Sequence, residues 1–210
     1  MDNTKKIVIA TIVCVLLALL PIGAGFLLFD RLPEQLPIHF NEEGVADGYA
    51  EKTTAIILVP VICAVLSLGL ALILGKVIRY NFKAILAVIT IGPLFSIGIQ
   101  AALLCNALGF EISEASVAVL IIGLVCIVFG NLMPTVRPNG VFGIRFPWIM
   151  DDDDLWDRTQ RMGGKLFLLL GIVLVFVSFA ASEDIALKIL MGGVLGVAVI
   201  TGIYSYAISN

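Results

Sequence analysis

GNLMPTVRPNGVFGIRFPWIMDDDDLWDRTQRMGGK, residues 130–165, is a polar island between apolar tracts, and the reading of the whole chain turns on it. It holds five of the thirteen Lys/Arg, five of the sixteen Asp/Glu and both tryptophans. A helix crossing the roughly 30 Å hydrocarbon layer needs about 17–25 predominantly apolar residues. Working outward from the island, the 210 residues supply six such spans: 7–29, 53–75, 84–107, 115–134, 165–182 and 187–208. Only helices and closed barrels satisfy every backbone group in lipid, and these spans lack the alternation of barrel strands. With 60% hydrophobic and 14% charged residues and a mean hydropathy of +1.09, the composition excludes a soluble globular protein. The expectation is an all-α integral membrane protein, one domain over residues 1–210 with six transmembrane helices.

Lys5 and Lys6 precede the first span as in a secretory signal. The span is longer than a usual signal core, and Asp30-Arg31-Leu32-Pro33 is a poor cleavage site, so it reads as the first transmembrane helix. Lys and Arg accumulate on the cytoplasmic side of short loops. Alternating sides groups Lys5, Lys6, Lys76, Arg79, Lys83, Arg137, Arg145, Arg158, Arg161 and Lys165 against Arg31, Lys52 and Lys188, ten against three. Both termini and the loop 135–164 are therefore expected in the cytoplasm, and the loop 30–52 outside it.

That outer loop reads as a small ordered cap. Pro33 and Pro37 hold their predecessors extended. Leu36, Ile38 and Phe40 alternate with Pro37, His39 and Asn41 as in a strand, and Gly44 and Asp47-Gly48 mark turns. His39, the only histidine, lies near Asn41, Glu42, Glu43 and Asp47. A metal or proton-sensing site is one reading. A structural hydrogen-bonding histidine is favoured, because one His with scattered carboxylates lacks metal-site spacing, and no metal or cofactor is expected.

Apart from Lys165 and Lys188 at their edges, the six spans contain no ionisable Asp, Glu, Lys, Arg or His. Ion-coupled transporters usually carry one within the membrane, so a transporter or channel of the cytoplasmic membrane stands only as the alternative reading. Gln100, Asn106 and Asn131 suit interhelical hydrogen bonds, and Gly192-x-x-x-Gly196 suits close packing within the bundle or between two copies. Pro21, Pro60 and Pro93 predict kinks. The four cysteines, in the first four spans, have neither metal nor redox spacing and read as small apolar filler.

Within the island, Pro138-Asn139-Gly140 is a tight turn, Gly143 a second flexible point, and Phe146 is held extended by Pro147. Arg137 and Arg145 flank the turn, placed either for lipid phosphate or for the acidic run Asp151–Asp154. That run precedes Leu155–Met162 and complements a helix dipole with Arg158 and Arg161, and Gly163-Gly164 read as terminators. Leu155, Thr159, Met162 and Trp156 predict a short helix lying in the membrane interface, where Trp148 also belongs. Consecutive aspartates lack the spacing of a calcium loop. No zinc-protease, nucleophile-elbow or phosphate-loop motif occurs, so no catalytic residue and no enzyme activity are expected.

Gly130-Asn131 with Pro134, Arg137-Pro138-Asn139, Gly143-Ile144-Arg145, Pro147-Trp148, Trp156, Thr159 and Gly163-Gly164-Lys165 resemble the signature of the SdpI-like bacterial immunity proteins. Leu36-Pro37-Ile38-His39-Phe40-Asn41, with Gly44, Asp47 and Lys52, is similar to the domain of unknown function that often stands at the N-terminus of that family. Phe146 stands where Thr is usual in it, and Gln160 where His often follows Thr159. The resemblance implies a six-helix membrane protein that protects its host from a secreted, membrane-active toxin protein. It also implies a receptor that holds a cytoplasmic transcriptional repressor at the membrane, with no direct nucleic-acid contact. On that reading His39, Phe40, Asn41 and Asp47 face the toxin. Asn131, Pro134, Arg137, Asn139, Arg145, Trp148, Trp156, Thr159 and Arg161 form the cytoplasmic docking surface, and the remaining partner is membrane lipid.

Overall fold

A computed structural model of the chain describes residues 3–40, 46–77, 82–110, 112–140 and 142–209. Six helical spans in it are long and apolar enough to cross a membrane. The first is α1 (Asn3–Leu27), followed by a two-stranded antiparallel hairpin, β1 (Gln35–Phe40) and β2 (Ala46–Glu51), which leads directly into α2 (Lys52–Val77). The third span is built from two pieces, α3 (Phe82–Ile89) and α4 (Ile91–Ala107). Then come α5 (Glu114–Leu132), α6 (Asp153–Ala180) and α7 (Glu183–Ala207). Large apolar side chains are exposed along these helices, among them Leu20, Val65, Ile73, Phe176, Leu195 and Ile203. Such a surface suits lipid, not water.

The three expected proline effects separate. Helices α1 and α2 run through Pro21 and Pro60 as single helices, whereas the third span is interrupted at Thr90. Pro93 has no N–H to offer the carbonyl four residues back, that of Ile89. The Ser67 hydroxyl on α2 donates to that oxygen instead, at 3.3 Å. Gly92 makes the approach possible, since a Cβ there would lie 2.8 Å from the Cys63 carbonyl oxygen. Ser96 ties the same stretch to α1 through the Ala18 carbonyl at 2.6 Å.

Helices α5 and α6 meet backbone to backbone. Gly123 and Gly130 on α5 face Gly171 and Gly164 on α6, one pair per seven residues on each antiparallel helix. A Cβ on Gly130 would fall 2.6 Å from the Gly164 carbonyl oxygen, and one on Gly171 the same distance from that of Gly123. This corrects the expected end of a helix at Gly163-Gly164. Both glycines are buried inside α6, Gly163 beneath Ile144 and Gly164 against Gly130 and Pro134. Glycine costs a helix interior roughly 1 kcal/mol, and close interhelical packing offsets it. The separate interfacial helix and the fifth span are consequently one helix. Its 28 residues extend about 42 Å, beyond the roughly 30 Å hydrocarbon layer. The first turns, with Asp154, Asp157, Arg158 and Arg161 exposed, continue the line of the spanning helix instead of forming a separate one.

Glycines 192 and 196 on α7 meet nothing within 4 Å of a built Cβ, so that motif packs against no described part of the bundle.

Candidate functional site

The chain between α5 and α6 folds back on α6 as a fastened loop. Helix α5 ends in a 3₁₀ turn at Met133–Thr135. The Asn139 side chain then closes a short turn: its Oδ1 accepts from the Phe142 N–H at 2.8 Å, and its Nδ2 donates to the carbonyls of Arg137 at 2.9 Å and Phe142 at 3.1 Å. Gly143 follows at φ +112°, a backbone conformation that side-chain-bearing residues rarely adopt. That turn aims the next peptide at Gln160. The Gln160 Oε1 accepts from the Ile144 N–H at 2.9 Å, and its Nε2 donates to the Ile144 carbonyl at 2.7 Å. One turn earlier on α6, the Trp156 indole N–H donates to the Val136 carbonyl at 2.9 Å. Two side chains at i and i+4 thus replace the pairing that a strand neighbour would give the loop backbone.

The far half of the loop is fastened to α7. A 3₁₀ turn at Pro147–Ile149 presents Trp148, whose indole N–H donates to Ser205 Oγ at 3.1 Å. Its ring stacks on Phe146 at 4.9 Å and meets Tyr206 edge-on at 5.8 Å. Asp152 then caps α6 by accepting from the Leu155 N–H at 2.9 Å. The acidic run is paired by Arg158, which reaches Asp154 at 3.6 Å, while Arg145 turns to the Gly140 carbonyl.

Of the nine residues expected on this docking surface, Asn131, Arg137, Arg145, Trp148 and Arg161 are exposed, and Pro134 and Asn139 are half-buried. Trp156 and Thr159 are fully buried, which corrects their placement on a surface. The apolar face of this helix packs under the loop and not into lipid. The Thr159 hydroxyl has no hydrogen-bond partner among the described residues. The positioning roles of Gln160 and Ser205 are not among the sequence expectations, whereas Gly143, expected as a flexible point, takes the positive φ that aims the loop. Gln160 carried a usable signal, since it lies four residues from Trp156 and therefore on its face.

At the opposite end of the helices stands the hairpin. Leu36 is buried with Leu32 against Ala55, Ile56 and Leu104. Ile38, expected on the same face, is exposed. The ladder slips between Pro37 and His39, because proline cannot donate to it, and the bulge turns Ile38 over. His39 and Asp47 come together at 2.5 Å between Nδ1 and Oδ1, both largely exposed. Phe40 ends β1 opposite Ala46, whereas Asn41, with Glu42, Glu43 and Gly44, lies outside the described residues. Lys52 anchors the base, 2.9 Å from Glu34 and with its ammonium 4.3 Å from the Phe29 ring centre. Among the described residues no three His, Cys, Asp or Glu side chains converge.

Residues 135–209, which comprise the fastened loop, α6 and α7, match the SdpI/YfhL protein family. Residues 16–64, which span the hairpin and the halves of α1 and α2 beside it, match a domain of unknown function, DUF1648. The chain is 29% identical over 203 residues to the protein named Immunity protein SdpI of Bacillus subtilis (strain 168), covering 96% of this chain and 94% of that one. No solved structure matches.

Proposed function

We propose that the chain, which matches the SdpI/YfhL protein family over residues 135–209 and resembles an immunity protein over 96% of its length, is itself an immunity protein, a multi-pass protein of the bacterial cytoplasmic membrane. It protects the cell that makes it from a secreted, membrane-active toxin protein. The observation that carries this reading is the likeness to an immunity protein along nearly the whole chain, hairpin and fastened loop together. The ten-against-three distribution of Lys and Arg supports cytoplasmic termini, a hairpin outside and the loop 135–164 inside. In that orientation the hairpin stands where an exported toxin arrives, and Arg137, Arg145, Trp148 and Arg161 are offered to a cytoplasmic repressor protein. The protein acts by binding and not by catalysis.

Deleting the gene is expected to sensitise the cells to their own spent medium, and restoring it to reverse the effect. A retained resistance in the deletion strain contradicts the proposal. Replacing Arg137 or Arg145 with Ala is expected to weaken recovery of a cytoplasmic partner with the membrane protein, at unchanged membrane abundance. Equal recovery from both variants contradicts the docking role.

A further inference from the structure

Beneath the hairpin lies a cavity of about 280 Å³, walled by Ala55 and Val59 of α2, by Phe95, Ile99, Gln100 and Leu103 of α4, by α5, and by Pro37 and Ile38 of the hairpin. Gln100 is fully buried, and its amide is the lining's one strongly polar side chain. Its Nε2 donates to the Ala55 carbonyl at 3.4 Å, which fixes the other end as the acceptor. That acceptor, Oε1, has no partner among the described residues. A buried amide oxygen left without a donor is costly, more so where lipid replaces water.

We propose that this cavity is the toxin-recognition pocket, receiving one apolar side chain that carries a donor, of the indole or phenol class, from an exported membrane-active peptide. The inference rests on the immunity reading above. Gln100 lies seven residues before the end of α4, about 10 Å below the hairpin end of the bundle and within one leaflet. A segment inserting from that side delivers an aromatic ring to this depth, and its N–H or O–H completes the Gln100 amide. An acyl chain fills the same apolar walls but brings no donor to Oε1.

The test uses the full chain in phospholipid nanodiscs and two probes, N-acetyltryptophan octyl ester and its indole-N-methyl counterpart, followed by saturation-transfer NMR. The N–H probe is expected to bind about tenfold more tightly than the methylated one. Gln100→Leu removes that preference while keeping the fold. Ala118→Phe, at the exposed rim of the same cavity, weakens both probes without altering the buried packing. Equal binding of the two probes to the unaltered chain overturns the proposal and leaves lipid as the occupant. In cells, both variants are expected to lose resistance to spent medium at normal abundance. If both protect fully while the gene deletion remains sensitive, the pocket is wrong and the immunity reading stands. If the deletion is insensitive, the immunity reading fails, and probe binding without a toxin to receive overturns the assigned role of the pocket with it.

Discussion

Gln160 shows how one side chain can hold a loop that has no secondary structure of its own. Its amide pairs with both backbone groups of Ile144, and the i−4 neighbour Trp156 holds Val136. Gln160→Leu keeps the side-chain volume but leaves an N–H and a C=O unmatched in a half-buried place, a loss of about 2–4 kcal/mol. The loop should then open: trypsin cleavage after Arg145 in the detergent-solubilised full chain is expected to quicken about tenfold. Asp157→Asn, exposed one turn away, should leave the rate unchanged. Equal rates for the two variants would show that Gln160 does not fasten the loop. The sequence marks Asn139 and Gly143 as turn residues from their own chemistry. It marks the partner of the turn only indirectly, by placing Gln160 on the Trp156 face, because a side chain reaching across sixteen residues leaves no local pattern of its own.

At the scale of the helix, glycine is ambiguous in sequence, and the ambiguity explains the one misplaced boundary. Gly163-Gly164 stops a helix if the backbone there is free, and continues it if another helix needs to approach. Gly130, thirty-odd residues earlier, decides between the two, since its backbone meets that of Gly164. Gly130→Ala is expected to destabilise the protein by about 1–3 kcal/mol through overpacking against fixed backbone. Gly192→Ala, in open space, should be neutral or stabilise by up to about 1 kcal/mol. Thermal unfolding of the two variants in one detergent reads the difference, and similar melting temperatures would argue against backbone contact between α5 and α6. The pair also tests Gly192-x-x-x-Gly196, whose spacing alone cannot say whether a partner helix exists.

For the whole molecule, the six crossings are legible because lipid leaves a spanning chain so few options: apolar length and absent charge suffice to find each helix. How the helices are shared among neighbours is not legible in the same way, since the interior and the lipid are equally apolar. Sidedness is a separate property, written in the basic residues. Glu34→Cys and Gly140→Cys place a thiol on exposed positions at opposite ends, while the described native cysteines sit within the helices. A membrane-impermeant maleimide is expected to label Glu34→Cys in intact cells, and Gly140→Cys only after lysis. The reverse pattern would invert the assignment of toxin and repressor faces.

Protection itself is the most direct test of the immunity reading. Survival should be counted for cells with and without this gene in spent medium from the parent strain, each set complemented with the unaltered chain. On the immunity reading the deletion strain dies and the chain alone restores survival. Equal survival of deletion and parent, in medium that kills an unrelated sensitive strain, would contradict it.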